Sequence, residues 1–253
     1  LSFTLDPTSD PKEVEARLEI SGFAKDKLSS LELDMNALKI ASVKSKDHRA
    51  LVFSTENPKL LKIELPRSLK KGGPFHFSIQ YAAKIRSSHD GFFKVTDPDD
   101  PDRGNLYFSM FEPDKARALF PCNDEPYDKA TTEVIITVPS EYDVISNGSK
   151  VSDLPSRKEN RQWHTVHWRL DKPHSTYLIS IAIAPFAKIA DRLKGKEISF
   201  FIARAQTEKA RYALDTTKRS FEFFERYLRT PYPWPKYATI GVPTFLWGGM
   251  ENT

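Results

Sequence analysis

Through most of the chain, apolar and polar residues alternate in short runs closed by Pro, Gly, Asn or Ser, the period-two pattern of strands with one buried face. From Val134 to Val138, the residues Val134, Ile136 and Val138 share one face while Ile135 and Thr137 share the other, and Pro139-Ser140 closes the run. Between Trp163 and Leu170, Val166, Trp168 and Leu170 point opposite Thr165, His167 and Arg169. Tyr177, Ile179, Ile181 and Ile183 line one face of a following strand, with Ser180 and Ala182 on the other. These strands are predicted to lie in one sheet with an apolar inner face. Asn147-Gly148 and Lys71-Gly72-Gly73-Pro74 supply turn chemistry between segments. No helical period precedes about residue 205, so the expected fold is mainly β, a β-sandwich.

After Asp191 the pattern changes. A strand-like Ile198 to Ile202 leads into an amphipathic helix from about Thr207 to Arg229, on which Ala210, Leu214, Thr217, Phe221, Phe224 and Leu228 recur at spacings of four and three and form one predicted buried stripe. Thr207 with Glu208 marks the helix start, and Pro231, Pro233 and Pro235 stop it. Ala238 to Val242 then reads as another strand, leading to a loop at Gly248. Strand, helix, strand after an all-β region predicts a boundary near residue 188: a β-sandwich over 1–187 and an opening α+β portion over 188–253. Upstream, Asp97 to Gly104 is acidic and proline-broken and is expected to be an exposed loop. Its four aspartates lack the spacing of a calcium loop, so calcium is disfavoured.

Composition narrows the function classes. With 253 residues, 39% hydrophobic and 28% charged, the chain has enough apolar surface for a sizeable core and more than one domain. The net charge of +4 comes from 38 basic and 34 acidic residues scattered along the chain, without a Lys/Arg stripe, so no nucleic-acid partner is expected. No apolar run approaches the roughly 20 residues that span a bilayer, and no signal-peptide pattern opens the chain. A lone Cys122 excludes an internal disulfide framework and fits both cytosolic and exported proteins.

The most chemically suggestive segment is Gly248-Gly249-Met250-Glu251-Asn252-Thr253. Adjacent glycines let a substrate backbone approach, and a neighbouring carboxylate can anchor an ammonium group, as a peptide held by its free amine requires. Taken alone, a Gly-Gly pair marks an ordinary turn and an exposed glutamate is usually just solvated. A second segment adds weight: Phe111-Glu112-Pro113-Asp114-Lys115-Ala116-Arg117-Ala118-Leu119-Phe120-Pro121-Cys122-Asn123-Asp124-Glu125-Pro126, followed by Lys129-Ala130. It closely resembles the signature stretch of the aminopeptidase N family, zinc enzymes that include the leukotriene A hydrolases. Gly248 to Asn252 resembles the same family's exopeptidase motif, in its Gly-Gly spelling.

The resemblance implies a saddle-like β-sandwich N-terminal domain followed by the opening of a thermolysin-like catalytic domain, in the front part of a zinc aminopeptidase acting on peptides with a free N-terminus. By resemblance, Glu112 and Glu251 hold the substrate amine, Gly248 and Gly249 present main-chain groups to the substrate backbone, and Met250, Asn252 and Met110 belong to the same substrate-binding set. Met110 stands where the family usually has a substrate-orienting glutamine, and methionine makes no strong hydrogen bond. Asn123 replaces an aromatic, which reads as a local packing change. Cys122 reads as a buried structural thiol, since no histidine is near it in sequence.

The zinc-binding His-Glu-x-x-His helix is absent from these residues. The six histidines are His48, His76, His89, His164, His167 and His174. His164 and His167 are expected on opposite faces of a strand. Zinc is therefore expected only in the intact enzyme, with ligands outside this chain, and this chain alone is expected to be inactive. Two other readings stay open: a non-catalytic relative serving as a binding or assembly module, and an epoxide hydrolase of the leukotriene A type.

Overall fold

The period-two runs fold as strands in the computed structural model, which describes all 253 residues. In chain order they are β1 (Ser2–Thr4), β2 (Glu13–Phe23), β3 (Leu28–Asp34), β4 (Lys39–Ser45), β5 (Phe53–Ser54), β6 (Leu60–Leu69), β7 (Pro74–Lys84), β8 (Gly91–Thr96) and β9 (Asn105–Met110). Then follow β10 (Ala130–Pro139), β11 (Asp143–Ser146), β12 (Ser149–Lys158), β13 (Arg161–His174), β14 (Ile181–Ala184), β15 (Ala187–Leu193) and β16 (Lys196–Ile202). One helix, α1 (Thr207–Leu228), precedes β17 (Lys236–Ile240).

Four sheets result. The largest has seven strands in the order β12-β13-β10-β1-β2-β7-β4, and a four-stranded sheet runs β11-β14-β9-β8. Two three-stranded sheets run β3-β6-β5 and β15-β16-β17. Residues from the first three sheets and the loops between them, together with Phe201 of β16, share one core of 43 buried side chains, in which Phe92, Phe93, Leu61, Ile63, Ile79 and Ile136 are almost wholly excluded from water. At ~25 cal/mol per Å² of apolar area, this burial is the dominant stabilising contribution. The signature segment enters this core through Phe111, Ala116, Leu119, Phe120 and Cys122, and the terminal motif packs against it through Met250. Phe111 is fully buried and meets Phe120 edge-on at 6.0 Å, which fixes the start of the signature segment.

Strand β16 is buried on both faces. Ile198, Phe200 and Ile202 pack with Ala210 and Leu214 of α1 in a second, smaller core, while Phe201 turns the other way and meets Phe186 at 5.9 Å. The β15-β16-β17 sheet thus lies between the helix and the main core.

Several expectations are corrected. β10 and β13 are neighbours in the seven-stranded sheet, but the strand after them, β14, belongs to the four-stranded sheet. That strand also starts later than predicted: Thr176–Leu178 forms a 3-10 turn and only Ile181–Ala184 is extended. All four of those residues are buried, so alternation could not assign their sheet.

The helix begins at Thr207, with Gln206 as an N-cap that makes no side-chain cap and the Thr207 hydroxyl donating to the Arg204 carbonyl at 3.1 Å. Of its predicted stripe, Ala210 and Leu214 are buried and Phe221 packs against Tyr232 and Tyr237. Phe224 and Leu228 are 54% and 61% exposed, and the smaller core reaches along the helix only as far as Phe221. The final strand is Lys236–Ile240, two residues earlier than Ala238 to Val242. Finally, the acidic loop is not wholly solvated. Asp97 is buried and paired with Arg103 at 3.1 Å, and Arg103 also donates to the Pro185 carbonyl at 3.2 Å. A buried carboxylate needs such a partner.

Candidate substrate-recognition site

After β17 the chain abandons regular structure and returns across the four-stranded sheet. Val242, Phe245 and Met250 pack against the main core. Asn252 Nδ2 donates to the carbonyls of Leu178 at 3.1 Å and Ile179 at 3.5 Å. Asn147 donates to the same Leu178 carbonyl at 2.9 Å and bonds the Thr253 hydroxyl at 3.2 Å and its carbonyl. Between this returning segment, β17 and β14 opens a cleft of about 680 Å³, walled by apolar residues such as Ile181, Tyr237 and Phe245 and rimmed by Gly248 to Thr253. A cleft of this size suits a small ligand or a peptide end.

The loop has the freedom a backbone-binding edge needs. Gly248 has φ +72° and a Cβ at Gly248 or Gly249 would meet nothing within 4 Å, so the space over both residues is open. The Gly249 N–H is spent internally on the Trp247 carbonyl at 2.8 Å. Glu251 is exposed and forms neither an ion pair nor a hydrogen bond within the chain, so its carboxylate is free for an incoming cation.

Lys236 also lines the cleft, though no sequence signal singled it out. Its Nζ donates to the carbonyls of Ser146 at 2.8 Å and Gly148 at 2.7 Å and lies 4.7 Å from the Trp168 ring centre. Burial lowers its pKa to about 8, because desolvation penalises the ammonium.

Glu112 is not among the residues that line this cleft. It is exposed in a turn, two residues beyond the end of β9 and not within a strand. Like Glu251, it has no cationic partner in the chain. Met110 is 5% exposed within the main core and is also absent from the cleft wall. The structure therefore gathers Gly248, Gly249, Met250, Glu251 and Asn252 at one rim and leaves Glu112 and Met110 outside it.

The rest of the signature segment is a buried clasp. Asp124, whose side chain is fully buried, accepts from Arg117 N at 3.1 Å and Arg117 Nε at 3.0 Å through one oxygen, and from the Thr176 hydroxyl at 2.6 Å through the other. Asp34 accepts from Asp124 N at 3.0 Å and lies 3.6 Å from the Arg117 guanidinium. These neighbouring carboxylates hold the Arg117 pKa up despite the cost of desolvation. Cys122 exchanges backbone hydrogen bonds with Asp34, and burial pushes its thiol well up, so it is a packed residue and no nucleophile. Asn123 is exposed and donates to Asp128 at 2.7 Å.

The family sequence pattern of the Peptidase M1 N-terminal domain matches residues 2–178, and that of the Peptidase family M1 domain matches residues 212–253. The chain belongs to the peptidase M1 family. This M1 chain is 32% identical over 182 residues to the glutamyl aminopeptidase of Rattus norvegicus, an alignment covering 70% of the chain and 19% of that protein. It is 26% identical over 230 residues to aminopeptidase M1 of Arabidopsis thaliana, covering 89% of the chain and 26% of the relative. The tricorn protease-interacting factor F2 of Thermoplasma volcanium is 36% identical over 150 residues, covering 59% and 18%. The M1 chain thus spans about a fifth to a quarter of the length of these relatives.

Nothing in the M1 chain fits a zinc centre. No group of three His, Cys, Asp or Glu side chains converges on one point. His164 is engaged by Asp153 at 2.7 Å and the Tyr142 carbonyl at 2.8 Å, and His167 by Glu133 at 2.9 Å. His174 is buried against Thr132 and the Lys172 carbonyl, and burial lowers its pKa. No helix is long and apolar enough to cross a membrane.

Proposed function

We propose that the intact protein is a zinc-dependent aminopeptidase that removes N-terminal residues from peptides, and that this chain supplies its amine-recognising front part. The observation that carries the reading is the Gly248–Asn252 loop: open space over two glycines beside an unpaired carboxylate, at the rim of a 680 Å³ cleft in an M1 chain. The division falls near residue 187, with a β-sandwich before it and the opening of the catalytic portion after it.

Glu251 and Glu112 act as amine anchors. A charge-assisted hydrogen bond to a desolvated ammonium is about twice as strong as a neutral one. An internal peptide segment brings no ammonium, so its binding would bury uncompensated negative charge at a cost of several kcal/mol. Exopeptidase preference follows from that asymmetry. The Gly248 and Gly249 main chain aligns the substrate backbone, with Met250 and Asn252 holding the loop's shape. The metal, held by residues outside this chain, would activate a water and polarise the scissile carbonyl when bound.

The test compares the gene-length protein with the 253-residue chain on a panel of aminoacyl amides, with zinc determined on both. Turnover with about one zinc per molecule only in the longer protein supports the reading. A longer protein that is inert and zinc-free overturns it in favour of a binding or assembly module. A longer protein that opens epoxides but leaves aminoacyl amides intact overturns it in favour of the hydrolase variant.

A further inference from the structure

The signature segment and the cleft rim, separate in sequence, are joined through one buried carboxylate and one short turn. Asp124 grips Arg117, five residues beyond Glu112, through both a backbone and a side-chain N–H. Its second oxygen takes the Thr176 hydroxyl at 2.6 Å. Thr176 opens the 3-10 turn Thr176–Leu178, closed by Ile179 N donating to the Thr176 carbonyl at 3.1 Å. The carbonyls leaving that turn, Leu178 and Ile179, are the ones that receive the Asn252 amide beside Glu251. A parallel tie runs from the Ser175 hydroxyl to the Pro126 carbonyl at 2.6 Å.

Resting on the amine-anchor reading above, we propose that Asp124 and Thr176 form a positioning relay that sets Glu112 in register with the Gly248–Asn252 loop. Two carboxylates gauge a chain end only if their separation is fixed, because each charge-assisted hydrogen bond to the ammonium needs its own distance and angle. Neither glutamate is fixed by a partner of its own, since both are exposed and unpaired. Their register must come from the backbones that carry them. Glu112 is tied by the turn in which Lys115 N donates to the Phe111 carbonyl at 2.8 Å, and that turn leads directly into the Arg117 clasp. Glu251 is tied by Asn252. Asp124 lies at the crossing of the two paths, with its side chain fully buried and three donors on its oxygens.

Thr176 is the informative position, because it is half-buried and can lose its hydroxyl without disturbing the Asp124–Arg117 pair. In the intact protein, Thr176→Val keeps the shape and removes the link, whereas Thr176→Ser keeps the link. Thr176→Val is expected to raise KM for aminoacyl amides about tenfold with kcat within about twofold, the pattern of lost uniform binding. Thr176→Ser should stay within about twofold of wild type in both, with unfolding midpoints of the two variants alike. In a cycle with Asn252→Ala, the double variant should cost no more than Asn252→Ala alone, as links in series require. Wild-type KM in Thr176→Val, or equal losses of kcat and stability in both Thr176 variants, overturns the relay. Wild-type protein inert on aminoacyl amides overturns the amine-anchor reading itself, and the relay with it.

Discussion

Lys236 places a charge where desolvation opposes it. Two carbonyl oxygens and the Trp168 ring compensate the ammonium, but its pKa still falls to about 8 from 10.5. The folded state therefore binds fewer protons than the unfolded state between about pH 8 and 10.5, and stability rises with pH in that window. The size is up to about 3 kcal/mol. In the difference between wild type and Lys236→Met, urea midpoints measured from pH 7.5 to 10.5 should show this rise in the wild type alone, and parallel profiles would refute it. Asp124 is a fully buried carboxylate that accepts from three donors, two on one oxygen and one on the other. Asp124→Ala leaves the Arg117 guanidinium with only Asp34 at 3.6 Å and the residue-124 carbonyl at 3.2 Å as partners and should cost about 3 kcal/mol, read as a fall in the unfolding midpoint, whereas the exposed Asn123→Ala should stay within about 0.5 kcal/mol.

The elements differ in how far their sequences specify them. β10 and β13 were legible because each buries one face: Val134, Ile136 and Val138 lie inward, as do Val166, Trp168 and Leu170. β14 was not, because a strand of four buried residues carries no facial signal, and its partners β11 and β9 are set by long-range pairing. Helix α1 was legible in extent, yet its stripe overstates what it buries. The stripe records which face is apolar and says nothing of whether a neighbour covers it. Leu214→Ala should therefore cost about 2–5 kcal/mol, while Leu228→Ala should leave the helical circular dichroism and its melting within about 0.5 kcal/mol. The helix ends at Arg229 in the left-handed region, with φ 52°, a conformation that favours glycine. Arg229→Gly is expected to stabilise the chain by up to about 1 kcal/mol. A lower melting temperature in that variant would show that the Arg229 side chain contributes more than its backbone costs.

At the scale of the whole molecule, the candidate site was legible as two motifs and illegible as one arrangement. Glu251 and its glycines could be named from spelling, but the Asn147 that bonds Thr253, the Thr176 that opens the turn receiving Asn252, and the Lys236 that lines the same cleft are ordinary letters in ordinary turns and strands. Their roles exist only once the fold links Arg117 to Asp124, Asp124 to Thr176, Asn147 and Asn252 to the Leu178 carbonyl, and Lys236 to the carbonyls of Ser146 and Gly148. The same assembly leaves Glu112 and Glu251 as exposed carboxylates with no cationic partner in the chain. A net charge of +4 dispersed along the chain adds no focused field of its own, so recognition of a substrate amine must rest on local contacts. Glu251→Gln keeps the shape and removes one charge. A hydrogen bond to a charged group contributes about 1.5–3 kcal/mol, so in the intact protein the preference for a free-amine peptide over its N-acetylated counterpart, taken as a ratio of kcat/KM, should fall by about 10- to 100-fold. The loss should appear almost entirely on the free-amine substrate, because the acetylated one has no ammonium to lose. A ratio unchanged by Glu251→Gln would remove the glutamate from amine recognition and return the loop to the status of a turn.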